Sequence, residues 1–288
     1  MRLLLLTVIL VAGPGLAYCR TSTAPAPHAA QAQTWQDGDL LFADEFNSGQ
    51  LDRSKWNVIG PDFWVNNEQQ AYIDAPETIR FIDISETAGA DGGALALQPV
   101  YRKGFETPDG RKVDFVSGRI DTRDRFEFTY GCAAARIKMP DAVGVWPAFW
   151  LLGNGKWPDT GEIDIMEYVG EADWIGVALH GEGYFGETPH GKIIQAESDL
   201  CDDFNVFAIE WSENKISWFM NDDCFFSATA EDVAPNKWVY NQEFYLILNL
   251  AMGGHFTGAI DPELDNASLS IDWIRYYSVN GLGEVVVR

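Results

Sequence analysis

The sequence predicts an all-β fold, a sandwich or barrel of many short strands, and three observations carry that reading. Apolar residues recur at every second position, turn residues interrupt those runs often, and no long stretch shows a 3.6-residue period. Phe126, Phe128 and Tyr130 share one strand face. The runs Phe204–Trp211 and Ile216–Met220 read as a hairpin about Ser212–Lys215. Phe244, Leu246, Leu248 and Leu250 share a further face, and Ile271, Trp273 and Tyr277 another. Pro140-Asp141, Asn154-Gly155, Asn221-Asp222 and Gly253-Gly254 supply the breaks. The final Val285-Val286-Val287 reads either as a last strand or as a tail.

The chain has 288 residues, ample for one large core, and it shows no internal repeat. Residues 1–17 read as a secretory signal peptide. Arg2 gives the positive start, Leu3 to Ala12 an apolar run too short to span a bilayer, and Gly15-Leu16-Ala17 a cleavage site. A lipoprotein signal ending at Cys19 competes, although Tyr18 stands where such a signal wants a small residue. Residues 18–33 read as a low-complexity linker of Ala, Pro, Ser, Thr and Gln. Residues 34–288 then form a single domain. The protein is expected to be secreted or held at the cell surface, with no membrane span.

The formal net charge is −23, and without residues 1–33, which hold two Arg and no acid, it becomes −25. A field of that sign repels phosphate and sulfate polymers, which argues against nucleic acid and heavily sulfated glycans and favours a neutral polysaccharide. The 11 Trp suit either a β-rich core or a sugar-binding cleft, where indole rings stack on the apolar faces of pyranose units. Cys201 and Cys224 stand at the open end of the Phe204–Met220 hairpin, where either a disulfide or two unpaired thiols is consistent with the sequence. No Cys/His cluster has zinc spacing.

The segment Gly161-Glu162-Ile163-Asp164-Ile165-Met166-Glu167-Tyr168 carries the chemistry. Strict alternation puts Glu162 and Asp164 on one face and Glu167 on the other. One β-bulge near Ile165-Met166 resets the phase and brings Glu167 round to join them. Three crowded carboxylates fit glycoside hydrolysis, which needs one ionised carboxylate as nucleophile or base and one carboxylic acid to protonate the leaving oxygen. With 43 acidic residues in the chain, an acid-x-acid-x-x-acid pattern arises about once by chance. The Trp-rich context, Trp146 to Gly153 and Trp157-Pro158, makes a sugar cleft the better reading than a solvated acidic face.

With those residues in view, the sequence resembles glycoside hydrolase family 16, and within it the laminarinase-type endo-β-1,3-glucanases with a bulged acidic strand. The resemblance runs over residues 40–278: Asp44-Glu45-Phe46, Asn66-Asn67-Glu68-Gln69 with Tyr72, Ser117-Gly118-Arg119-Ile120, Trp146–Gly153, Gly161–Glu167, His180-Gly181, Leu248–Gly254 and Ile271–Tyr277. It implies a concave, concanavalin-like jelly-roll β-sandwich and a retaining double displacement on β-glucan by a monomer. It implies Glu162 as nucleophile, Asp164 as the group that tunes the site and Glu167 as general acid/base. Substrate contacts are implied for Asn66, Glu68, Arg119, Trp146, Trp150 and His180. No cofactor is required; a structural Ca²⁺ is frequent in the family, and Glu45 and Asp272 stand at matching places. Cys132 and Ala134 depart from the family's usual arginine and glutamate. A hydrolase or transglycosylase of mixed-linkage glucan or galactan, and a non-catalytic glucan-binding protein, are the competing readings.

Overall fold

The computed structural model describes residues 38–288, apart from 171–173, 197–198, 222, 262–263 and 265–266. The expected signal peptide, the linker and Cys19 lie outside the described residues. Every regular element among those described is a strand, numbered β1 to β20 along the chain. Among the described residues no helix is long and apolar enough to cross a membrane.

Two large sheets pack face to face. The outer sheet runs in the order β17 (Asp223–Thr229), β16 (Lys215–Met220), β15 (Asn205–Ser212), β10 (Gly131–Lys138), β19 (Leu269–Tyr277), β5 (Ala94–Leu97), β4 (Ile79–Ile82), and β1 (Leu40–Asp44) also pairs with β19. The inner sheet carries the site. Its order is β14 (His190–Gln195), β13 (Trp174–His180), β12 (Glu162–Glu167), β11 (Val145–Gly153), β18 (Phe244–Met252), β8 (Arg119–Asp121), β2 (Asn57–Val58). At its margin β9 (Phe126–Thr129) pairs with both β18 and the last strand, β20 (Glu284–Val287). A small flanking sheet of β3 (Gln70–Tyr72), β7 (Lys112–Ser117) and β6 (Val100–Glu106) completes the fold.

The period-two pattern explains both layers. Phe244, Leu246, Leu248, Leu250 and Met252 of β18 face the core with Phe207, Ile209, Ile216 and Trp218 of the outer sheet. The alternate residues of β18 are left for the opposite face, where Asn249 and Ala251 line a pocket. One expectation is corrected here. Ile271 lies in the core with Ile274 and Tyr276, whereas Trp273 and Tyr277 belong to a second apolar cluster. The β10–β19 register shifts between Trp273 and Ile271, and the extra residue, Asp272, reverses the alternation. The C-terminal valines do form a strand, paired with β9 through Val285↔Phe128.

The disulfide alternative is also corrected: Cys201 and Cys224 are both free. Cys201 packs against the main core and lies 3.3 Å from the Tyr168 hydroxyl. Cys224 packs with Phe219 in the second cluster, together with Cys132, Ala134 and Trp273. The two thiols therefore serve opposite faces of the outer sheet. Cys132, which departs from the family pattern, is completely buried there, and burial pushes its thiol well above the ordinary range.

Candidate active site

Gly161 opens the acidic strand with φ +79, where a β-carbon would meet Val239 at 2.9 Å. From there β12 pairs with β11 through Leu152↔Glu162, Leu151↔Ile163 and Trp150↔Asp164, then skips to Phe149↔Met166 and Ala148↔Glu167. Ile165 is the extra residue of a β-bulge. Ile163, Ile165, Met166 and Tyr168 all enter the core, which turns Glu162, Asp164 and Glu167 to the other face. A bulge frees backbone groups from the ladder, and in a core these need partners. The carbonyl of Asp164 accepts a 2.9 Å hydrogen bond from the indole N–H of Trp218, reaching across from the outer sheet.

The three carboxyls are held individually. Trp157 Nε1 donates to Glu162 Oε2 at 2.6 Å, and Trp146 Nε1 donates to Glu167 Oε1 at 2.9 Å. His180, opposite Glu162 on β13, places Nε2 at 3.1 Å from Asp164 Oδ2 and 4.0 Å from Glu162 Oε1. The first of these is a charge contact without hydrogen-bond alignment, since Asp164 Oδ2 has no hydrogen-bond partner. The backbone N–H of Gly186 donates to His180 Nδ1 at 3.1 Å, so a neutral ring carries its proton on Nε2, toward the acids.

Burial dominates the electrostatics. It pushes Glu162 up to about 8, with the neighbouring Asp164 adding to the rise and His180 and the Trp157 N–H opposing it. Burial likewise pushes Asp164 up to about 7. Glu167 is driven well above the carboxylate range, first by burial and then by Asp164, against the Trp146 hydrogen bond. Like charges this close cannot all ionise, so the site holds protons near neutrality. Glu162, Asp164 and His180 also bring ligating atoms within 4.8 Å of one another, close enough to hold a cation, although proton transfer among the acids requires none.

Comparison with known proteins accords with this geometry. The model of the glycosyl hydrolases family 16 matches residues 63–275. The chain belongs to this family. It is 34% identical to a β-glucanase of Rhodothermus marinus over 83% of this chain and 85% of that one. It is 31% identical to a glucan endo-1,3-β-glucosidase of Cryptopygus antarcticus over 92% of this chain and 97% of that one. Among solved structures, the catalytic domain of an endo-1,3-β-glucanase (laminarinase) from Thermotoga petrophila superposes with a TM-score of 0.76 at 30% identity. That likeness covers 85% of this chain and 99% of the other. The jelly-roll sandwich and the glycosidase class are those of family 16.

The remaining residues singled out from the family 16 resemblance gather on one side of the acids. Asn66, Glu68, Arg119, Trp146, Trp150, Asn249 and the three carboxyls line one open pocket. Arg119 lies over Phe63 at 4.2 Å and over Trp150 at 4.9 Å, and its buried Nε has no hydrogen-bond partner. Glu68 is buried, accepts from Gln70 and Tyr72, and is raised by that burial against the pull of Gln70 and Arg119. Asn66 takes a left-handed φ of 54, and its carbonyl accepts the His255 N–H at 3.1 Å. His180 stands instead with the acids. Two residues escaped the sequence reading as functional groups: Trp157, which binds Glu162, and Asn249, whose Oδ1 accepts from Trp150 Nε1 at 2.8 Å. The Trp-Pro pair beside the acidic strand was the available signal for the first; Asn249 sits in an apolar run and gave none.

The calcium pair does not fit. Both Glu45 oxygens face the Arg275 guanidinium, at 2.9 and 2.7 Å. Asp272 accepts the Asp91 N–H at 3.0 Å on one oxygen and pairs with Arg136 on the other. Carboxylates already neutralised by arginines offer a cation little, so as arranged these two side chains do not make a calcium site.

Proposed function

We propose that the chain is an exported endo-β-1,3-glucanase acting by retaining double displacement. The bulged strand, which puts Glu162, Asp164 and Glu167 on one face with separate indole donors on the outer two, carries the reading. Family membership makes it a glycosidase, and relatives named as β-1,3-glucanases support the linkage. Net charge favours a neutral polymer.

In the first step Glu162 attacks the anomeric carbon while Glu167 gives its proton to the departing glycosidic oxygen, leaving a glycosyl ester on Glu162. In the second, water attacks that carbon, Glu167 takes the water's proton, and Glu162 is released. Glu167, held well above the carboxylate range by burial and the neighbouring Asp164, suits the acid. Burial raises both Glu162 and Asp164, so the pair holds a proton between them in the free site. Attack requires that proton to pass to Asp164, a shift that the Trp157 N–H on Glu162 favours.

The test is incubation of the wild type and Glu162→Gln with laminarin, lichenan and agarose. Short oligosaccharides from laminarin with the wild type alone are expected. Release only from lichenan or agarose would overturn the linkage, and binding without release from any would overturn hydrolysis.

A further inference from the structure

The pocket described above lies over β8, β18, β11 and β12, on one side of the carboxyls. An endo-acting cleft must also grip the polymer on the other side, over β13 and β14. The floor beside the acids is built of small residues, with Phe256 and Trp174 packed over Gly176. Ala178 stands opposite Asp164, Gly191 opposite Ala178, and Gly176 opposite Glu167. Phe185 stands on the loop that follows β13, just beyond His180. Its ring meets Trp157 edge-on, with centroids 5.3 Å apart and an interplanar angle of 81°. Both rings are markedly exposed, 43% for Phe185 and 42% for Trp157.

Although exposed, this aromatic pair is held in place. Trp157 is tied to Glu162 through its N–H. The Phe185 loop is pinned by the Gly186 N–H on His180 Nδ1, by the Thr188 N–H on the Phe185 carbonyl, and by the paired Gly181 and Tyr184. The ring therefore presents a fixed apolar face next to the reacting groups at little ordering cost. Its charged loop neighbours are acidic, Glu182 and Glu187, which disfavours an anionic ring.

We infer that Phe185, with Trp157, forms a stacking platform for a neutral glucosyl unit on the β13–β14 side of the bond that is cleaved. The inference rests on the endo-glucanase reading and adds a specificity-determining residue to it. A flat apolar ring holds the C–H face of a pyranose, and the exposure of both rings leaves that face open to a sugar.

The test uses β-1,3-linked glucohexaose labelled at its reducing end, with the wild type, Phe185→Ala and Phe185→Tyr. Loss of one stacking ring raises KM by about threefold to tenfold. It also changes which bond of the hexaose is cut, because the chain is no longer anchored at that register. Phe185→Tyr restores both. An unchanged KM and cutting pattern in Phe185→Ala overturns the proposal. So does a fall in kcat alone with the pattern kept, which would make Phe185 a prop for Trp157. Should the wild type leave the hexaose whole yet degrade another polymer, the linkage reading fails instead. The product lengths from that polymer with the same three proteins then decide Phe185 by the same criteria.

Discussion

Replacing Glu162 by glutamine should stabilise the protein at alkaline pH while abolishing its activity. The side chain keeps its shape and can keep its hydrogen bond from Trp157, but the buried charge is gone. In the folded protein Glu162 rises from an ordinary 4.5 to about 8. A carboxyl whose folded pKa lies above its unfolded value supports the fold fully below the unfolded pKa, and that support is lost as pH rises through the folded one. The window therefore runs from about pH 4.5 to about pH 8. At about 1.4 kcal/mol per unit the shift sets a ceiling near 5 kcal/mol. Coupling to Asp164 and Glu167 and the partial exposure of the cleft reduce it, so about 2 kcal/mol is the working figure. For a domain of this size that raises Tm by about 4–8 °C near pH 8. Thermal melts of both proteins at about pH 4.5, 6, 7 and 8, at constant ionic strength, read the effect directly. The two curves should meet near pH 4.5 and separate steadily above it. A gap that does not change with pH, or a variant less stable than the wild type near pH 8, would refute the argument that burial of this carboxyl holds its proton.

Four further outcomes are expected. Trp157→Phe removes the N–H that favours ionised Glu162, so kcat should fall about tenfold or more and the acid limb of the pH–rate profile should move to higher pH. Trp146→Phe removes a donor that holds Glu167 down, so the alkaline limb should move up; a profile unchanged at that limb would argue against Glu167 as the acid. Trp218→Phe orphans the Asp164 carbonyl at the bulge and should cost about 1–3 kcal/mol in denaturant melts, with a drop in kcat as the acids lose register. A reducing agent should leave the Tm of the folded domain unchanged, since Cys132, Cys201 and Cys224 are free; a drop would reinstate the disulfide.

Much of the site could be read from the chain because its signals are local. The acidic strand, the need for a bulge within it and the hairpin Phe204–Met220 all follow from side-chain alternation over a few residues, and pairing bears them out. Alternation failed where an irregularity was silent in sequence. Nothing in Ile271-Asp272-Trp273 announces the extra residue that parts Ile271 from Trp273. The hairpin likewise brought the neighbourhoods of Cys201 and Cys224 together on paper, but chain proximity does not tell which face of a sheet each thiol serves.

By itself the sequence determined the fold class, the acidic strand and which residue types could do the chemistry, since these depend on periods of two and on composition. Tertiary structure alone decided who holds whom. Trp218 crosses the core to the bulge, Trp157 and Trp146 each take one glutamate, and Arg275 and Arg136 claim the carboxylates that a cation would need. Those contacts join residues up to 230 positions apart. They depend on the distance and direction of side chains across packed sheets, and neither quantity is carried by local pattern.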